Sequence, residues 1–233
     1  MFPPGGDIIG FNVLFIRPSR PSDQESSLVG FSDRVIPFIP TPNLAQIFNA
    51  RRRQLPHDEA LEVFMVLCDH ASRSMSAHFL ESRVHVSLCS DDSVPLRIFR
   101  GAESRIMKPS QQLLAGTLGA LARLKTYPSF YWISSEPDVT GARSVLGDSA
   151  NIYTIQAVTA DDYNSPVNGL RTVWRALDRD VRTERDWHVV VVAEEEEVAR
   201  KLTDEFEREV GKIALGGTKL TVKVWGCVLP NRK

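Results

Sequence analysis

The stretch DWHVVVVAE, residues 186–194, constrains the fold of this chain more than any other feature. It is apolar almost throughout, whereas a strand with one solvated face alternates apolar and polar residues. It therefore predicts a strand that is covered on both faces. Such strands occur in sheets that have helices packed on either side, so the stretch favours an α/β architecture.

The segments around this strand complete the pattern. Strands and helices follow one another over the C-terminal half in the order strand, strand, helix, strand, helix, strand. The segments are residues 143–147, 151–159, 166–181, 186–194, 194–211 and 218–229. This order predicts an α/β fold with a central mixed sheet flanked by helices.

The first ninety residues are mostly helical in pattern. Helices are predicted over residues 41–55, 56–73 and 74–88, each with apolar residues along one face. Together they predict an N-terminal helical cap on one side of the sheet. We therefore divide the chain into residues 1–90, a strand and helical cap, and residues 91–233, the α/β core, within one compact domain.

Composition excludes several classes of protein. The formal charge of the 233-residue chain is −1, so any attraction to nucleic acid must come from a local patch. Cys68, Cys89 and Cys227 are too few and too scattered for a disulfide framework or a zinc knuckle. The N-terminal stretch has the pattern of neither a signal peptide nor a membrane span. We expect an intracellular protein, cytoplasmic or nuclear, without a membrane partner.

His78, Glu81 and His85 form the densest cluster of chemically useful side chains in the sequence. On a helix they fall at positions i, i+3 and i+7, so they share one face. Two imidazoles and a carboxylate are suitable ligands for a transition metal. A semi-exposed polar face beside an apolar stripe explains the same spacing and is the simpler interpretation. The glutamate does not sit directly beside a histidine, as it does in the zinc-protease motif.

Two groups of arginines are candidates for contact with the phosphates of a nucleic acid. One is a compact basic patch at the end of the first predicted helix, and the other is a stripe with a spacing of four along the helix at 166–181. The candidate nucleic-acid-binding residues are Arg51, Arg52, Arg53, Arg171 and Arg175, with Arg179 continuing the stripe. Cations also favour the C-terminal end of a helix, so the first patch has a structural explanation as well.

The segments around the buried strand, taken together, resemble a known family. The run NIYTIQAVTADDYNSPVNGLRTVWRAL at 151–177, followed by DWHVVVVAEEE at 186–196, is similar to the C-terminal domain of crinkler-type effectors and of trypanosomal retrotransposon hot spot proteins. Upstream, AHFLESRVHVSL at 77–88 resembles the family's helix with Phe-Glu at its centre. Residues 31–48 resemble the segment that leads into that helix. The likeness is mostly one of pattern and covers roughly residues 10–195.

The resemblance implies a restriction-endonuclease-like fold that attacks DNA. Sites of this class arrange two or three acidic groups, often with a lysine or glutamine, around Mg²⁺, which holds the phosphate and lowers the pKa of the attacking water. Carried over by position, the catalytic residues are Glu81, which is also the candidate metal ligand, Asp138 and Gln156. Mg²⁺ is the implied cofactor if the site is active.

The chain departs from this family at the core aspartate. Arg143 occupies the matching place, ahead of the strand that carries Gln156, and an arginine cannot ligate Mg²⁺. Thr159 lies one place later than the family's second polar residue. The resemblance thus implies a degenerate site, in which the Arg143 guanidinium takes the place of the metal and neutralises Glu81.

Three functions are open on the sequence alone. The preferred one is a degenerate nuclease-like module, of the kind found in effectors, that binds nucleic acid or a protein partner. One alternative is an active Mg²⁺-dependent DNA endonuclease that uses Glu81, Asp138 and Gln156. The other is a protein-interaction domain unrelated to nucleases. Convergence of those three side chains on one ion would distinguish the endonuclease from the degenerate module.

Overall fold

The computed structural model describes eleven segments of the chain, which contain ten strands, six α-helices and one 3-10 helix. The described residues are 15–18, 35–38, 42–52, 54–67, 74–89, 96–110, 112–134, 141–159, 163–211, 213 and 221–230. The strands are β1 Phe15–Pro18, β2 Val35–Phe38, β3 Leu96–Arg100, β4 Glu103–Met107, β5 Leu113–Gly116, β6 Phe130–Ser134, β7 Ser144–Gly147, β8 Asn151–Ala157, β9 Asp186–Ala193 and β10 Val222–Val228. The helices are α1 Pro42–Arg52, α2 His57–Leu67, α3 Met75–Cys89, α4 Pro166–Ala176, α5 Arg179–Glu184, α6 Glu196–Val210 and the 3-10 helix Leu118–Thr126. None of the helices in these segments is both long and apolar enough to cross a bilayer.

Eight of the described strands form one mixed sheet in the order β4-β3-β10-β9-β8-β7-β6-β5. The central strands β8, β9 and β10 are parallel, and β7 lies antiparallel between β8 and β6. At one edge β5 runs parallel to β6, and at the other the β3–β4 hairpin continues the sheet antiparallel to β10. The predicted α/β fold, with a central mixed sheet flanked by helices, is confirmed.

The strand predicted to be covered on both faces is β9, at the centre of the sheet. All of its residues except the first are buried. The odd-numbered side chains from Trp187 to Ala193 belong to one hydrophobic cluster, whereas Val190 and Val192 belong to the other. The apolar run therefore contributes to two cores at once, which is why it shows no alternation.

Two groups of helices cover the two faces of the sheet. On one face, α1, α2 and α3 pack against the strands, and Phe64 and Leu80 share a cluster with Tyr131. On the other face lie α4, α5, α6 and the 3-10 helix, and Phe206 shares a cluster with Val191. We call the first the cap face, because α1–α3 are the predicted helical cap. We call the second the crossover face, because α4–α6 connect the parallel strands.

Capping side chains and turns set element boundaries that the hydrophobic periodicity of the sequence does not show. The predicted helix 166–181 breaks at Leu177, because the Asp178 side chain accepts a hydrogen bond from Asp180 N at 3.0 Å and caps the start of α5. A strand that the sequence did not indicate, β4, follows β3 after a turn at Gly101, whose φ of 57° suits glycine. The glycine-containing segment before β6 forms β5 and the 3-10 helix.

Candidate functional site

Glu81 is buried on α3, in the layer between that helix and the cap face of the sheet. The helical spacing of four brings His85 beside it, with 4.0 Å between His85 Nε2 and Glu81 Oε1. The other ring nitrogen of His85, Nδ1, lies 2.6 Å from the hydroxyl oxygen of Tyr131 on β6. The polar face that the sequence suggested to be semi-exposed is therefore buried, because α3 packs that side onto the sheet.

His78 turns away from this pair towards α2. Its Nε2 lies 3.1 Å from the Met65 carbonyl oxygen, so Nε2 carries the proton and donates it in a hydrogen bond. Within the described ranges, no three His, Cys, Asp or Glu side chains lie close enough to hold one metal ion. The three-residue cluster that the helical spacing suggested does not form a shared metal site.

Gln156 is buried on the crossover face, near the end of β8. Its neighbours in the strand belong to the cap-face cluster, and its register partner on β9, Val191, belongs to the crossover-face cluster. The Gln156 Nε2 atom donates to the Asn164 carbonyl oxygen at 2.9 Å, just before α4 begins. The amide therefore fastens the end of β8 to the start of α4. Thr159, two residues beyond the strand, is half-buried.

The sheet separates Glu81 from Gln156. Glu81 lies with α3 on the cap face, whereas Gln156 lies with the start of α4 on the crossover face. Oxygen ligands must approach Mg²⁺ to about 2.0–2.1 Å, and side chains on opposite faces of one sheet cannot both do so. These two residues therefore do not fit a shared Mg²⁺ site, and the predicted catalytic set does not assemble from them. Asp138, its third member, lies outside the described residues.

The register of β7 and β8, extended by one residue, directs Arg143 towards Gln156 and not towards Glu81. The antiparallel register of β7 and β8 pairs Ser144 with Ile155, and one further step puts Arg143 opposite Gln156. Because residues opposite one another in a sheet share a face, Arg143 is on the crossover face. The predicted neutralisation of Glu81 by Arg143 is therefore not supported by this arrangement.

The arginines at the end of α1 do not form one patch. Arg51 is exposed, whereas Arg52 is only 3% exposed. The Arg52 guanidinium donates to the carbonyl oxygen of Cys89, the last residue of α3, and to Asn49 Oδ1 at 3.4 Å. Arg52 thus holds α1 against the end of α3, and its buried guanidinium is poorly placed for the predicted contact with a phosphate. Arg53 lies outside the described residues.

Arg171 and Arg175 are exposed on α4. The opposite side of this helix is buried through Leu170 and Val173, so the amphipathic pattern directs the arginines to solvent. The helix contains no acidic residue, and neither arginine has an acidic neighbour on its own helix. Arg179, also exposed, begins α5 and continues the predicted basic stripe beyond the helix break.

A pair of residues that the sequence did not single out borders these arginines. The helical pattern predicts that Trp174 points inward, but its side chain is half-buried. The guanidinium carbon of Arg182, on α5, lies 4.0 Å from the centre of the Trp174 ring, and Arg182 NH1 donates to the Trp174 carbonyl oxygen at 3.2 Å. We call Trp174 and Arg182 the stacking pair. A spacing of eight residues across a helix break gives no periodic signal, so only the packing of α5 on α4 reveals it.

A buried polar network around His188 was also not predicted from the sequence. Trp225 Nε1 donates to His188 Nδ1 at 3.1 Å, so the proton of the neutral imidazole is on Nε2. That Nε2 donates to Asn151 Oδ1 at 3.0 Å, which also accepts from Arg105 NH1 at 3.1 Å. Tyr153 stacks on the imidazole with ring centres 4.7 Å apart. These five residues come from four different strands, so their proximity depends on the sheet.

The His188 network predicts that stability depends on pH. Burial, together with the nearby Arg105 guanidinium, lowers the pKa of His188 from its ordinary 6.5 to about 4, although Asp186 and Asp148 act in the opposite direction. Between pH 6.5 and about pH 4, the His188 imidazole is therefore protonated in the unfolded chain but neutral in the folded chain. We expect the free energy of unfolding to fall over this interval by on the order of 2 kcal/mol through His188, after allowance for solvent screening.

The matched variant for this measurement is His188→Gln, which has an amide acceptor for Trp225 and donor for Asn151 but does not titrate. Urea titrations at several pH values would give both stability profiles, and their difference isolates the imidazole from the other titrating groups. The wild-type profile should converge on or fall below that of the variant as the pH falls from 6.5. Parallel profiles over the whole interval would mean that His188 is not held neutral by this network.

The comparisons with known proteins yield no relative of the chain. No protein-family model matches it, and neither a curated protein nor a solved structure matches it. The resemblance to the crinkler-type family and the restriction-endonuclease-like classification therefore stay predictions. What bears on function is the placement of the side chains described above.

Proposed function

We propose that this chain is a non-catalytic module that binds nucleic acid through the outer side of α4 and α5. The observation that carries the proposal is the exposed pair Arg171 and Arg175, on a helix without acidic residues. The stacking pair of Trp174 and Arg182 borders them. Arginines that reach phosphates, next to aromatic side chains that meet bases, are the combination found on nucleic-acid-binding surfaces.

The distribution of charge supports a local contact. The chain has a formal charge of −1, so it offers no attraction to nucleic acid as a whole. On α6 six acidic residues outnumber three basic ones, whereas α4 has two arginines and no acidic residue. The acidic residues of α6 are Glu196, Glu197, Asp204, Glu205, Glu207 and Glu209. A phosphate backbone would be repelled by α6 and attracted by α4, which favours one orientation of the bound strand.

The placement of the predicted catalytic residues supports a role without hydrolysis. Glu81 and Gln156 are on opposite faces of the sheet and do not fit one Mg²⁺ ion. Arg143 directly precedes β7, whose first residue, Ser144, pairs with Ile155 beside Gln156, and a positive charge there disfavours a divalent cation beside the amide. A degenerate nuclease-like module that retains binding is consistent with both features.

The test is binding of a labelled oligonucleotide, followed by fluorescence anisotropy at several salt concentrations. The charge reversal Arg171→Glu with Arg175→Glu should weaken binding at least tenfold and lower the salt dependence, since each lost phosphate contact removes a released counterion. Arg97→Glu with Lys108→Glu is the matched control, because it makes the same change of charge at exposed positions on the β3–β4 side. The control should bind like the wild type.

Two outcomes would overturn this proposal. Equal weakening by both double variants would mean that total charge, and not the surface of α4, governs binding. Affinity that is independent of salt would remove the phosphate contacts and favour a protein partner instead. In the same samples, Mg²⁺-dependent cleavage of the oligonucleotide that is lost in Glu81→Gln would restore the endonuclease alternative.

A further inference from the structure

Trp174 differs from the other three tryptophans of the chain. Trp132, Trp187 and Trp225 are at most 1% exposed, whereas Trp174 is half-buried at the surface of α4. Large aromatic side chains are usually buried when they serve only the core. A tryptophan that remains partly exposed beside arginines offers a surface on which a planar group can stack.

Arg182 completes this surface and is held in place. Its guanidinium carbon lies 4.0 Å from the centre of the Trp174 ring, and its NH1 donates to the Trp174 carbonyl oxygen at 3.2 Å. The Arg182 carbonyl oxygen accepts from the indole N–H of Trp187 at 2.9 Å, which fixes the backbone as well. Two planar groups are thus arranged before a ligand arrives, so little side-chain freedom is lost when a third group stacks on them.

The stacking pair lies next to the exposed arginines of α4. Arg171 precedes Trp174 by three residues, and residues with this spacing are neighbours on a helix surface. Arg175 follows Trp174 directly and lies further towards solvent than the buried Val173. A nucleic-acid strand whose phosphates contact the two arginines would therefore run past the stacking pair.

We propose that the stacking pair receives an unpaired nucleobase, so that the ligand of this module is single-stranded nucleic acid. This inference rests on the proposed function and specifies its ligand. In a duplex, the bases already stack on one another and expose only their edges in the grooves. In a single strand, a base can stack on the outer side of the Arg182 guanidinium and against the exposed part of the indole while the adjoining phosphates meet Arg171 and Arg175.

The experiment compares a labelled single strand with a duplex of the same length and sequence, and follows tryptophan emission in the same titrations. The wild type should bind the single strand about tenfold more tightly, the effect of one stacked base. Its emission should be quenched, because Trp174 is the tryptophan near the surface. Trp174→Leu should remove both the preference and the quenching. Arg182→Lys keeps the charge without the planar group and should lose most of the preference.

Arg97→Lys, the same replacement at an exposed position on β3 and away from α4 and α5, is the matched control and should behave like the wild type. Equal affinity for both forms with unquenched emission would overturn the stacking role while leaving the contacts of Arg171 and Arg175 intact. No binding to either form would overturn the proposed function and this inference with it. If Trp174→Leu unfolds, wild-type quenching and Arg182→Lys decide the matter.

Discussion

Replacing Gly141 with alanine is expected to lower the free energy of unfolding by roughly 3–4 kcal/mol. Gly141 has a φ of 79°, in the left-handed region that a residue with a Cβ atom adopts only at a cost. An added Cβ would also lie 2.4 Å from the Ser165 carbonyl oxygen. The segment before β7 and the N-cap of α4 would have to move apart, because the obstacle is backbone. Urea titrations followed by circular dichroism measure the loss.

Gly101→Ala separates the two contributions to this effect. Gly101 also has a positive φ, 57°, but a Cβ there would meet nothing within 4 Å. Only the cost of the left-handed conformation applies, so we expect a loss of about 1 kcal/mol. Equal losses in the two variants would contradict the close approach of Gly141 to Ser165. They would also argue against the close packing of the segment before β7 on the start of α4.

Replacing Arg52 with alanine is expected to lower the free energy of unfolding by about 2–4 kcal/mol. The guanidinium satisfies the carbonyl oxygen of Cys89, which no later turn of α3 can reach. It also contacts Asn49, whose own amide exchanges two hydrogen bonds of 3.1 Å with the backbone of Leu113. Truncation would leave a buried acceptor unsatisfied and loosen the junction of α1, α3 and β5. Thermal and urea unfolding would report the loss.

Arg51→Ala is the matched control, because it removes the same side chain one residue earlier, where it is exposed. We expect a change within about 0.5 kcal/mol. Neither Arg52→Ala below its melting temperature nor Arg51→Ala should alter the salt dependence of oligonucleotide binding, which is assigned to α4. A loss of binding without a loss of stability in Arg52→Ala would restore the basic patch predicted at the end of α1.

Periodicity along the chain was sufficient to predict most of the elements. The apolar run became the central strand β9, and the order of strands and helices around it is the predicted one, except that the helix over residues 166–181 is divided into α4 and α5. The helix predicted over residues 74–88 is observed as Met75–Cys89. These features depend on residues close together in the chain, and the spacing of apolar side chains reports on them directly.

Where periodicity failed, a single side chain or a turn decided the outcome. Asp178 caps α5 and interrupts a helix whose apolar spacing continues past it. Gly101 turns the chain so that β4 can pair with β3, although residues 103–107 carry little apolar signal of their own. Such local hydrogen bonds compete with the continuation of a helix or strand without changing the hydrophobic pattern.

The candidate site was less predictable than the fold. Strand alternation alone implies that Gln156 faces away from the side of Ile155, but it does not say which side α3 covers. Because α3 covers the side of Ile155, Glu81 and Gln156 lie on opposite faces of the sheet. Three adjacent arginines looked like one patch in the sequence, yet burial against α3 withdrew Arg52 from solvent. The arginines of α4 were recognisable as exposed because the apolar residues of the same helix mark its buried side.

The sequence by itself determined that β9 is buried on both faces, that helices flank a mixed sheet, and that Arg171 and Arg175 are directed to solvent. Only the tertiary structure decided which face each covering helix occupies, which polar residues meet, and that Arg182 stacks on Trp174. The physical reason is the distance along the chain over which each kind of interaction acts. Hydrophobic spacing and capping act within a few turns of one segment, whereas contacts between faces, strands and helices depend on how distant segments bury one another.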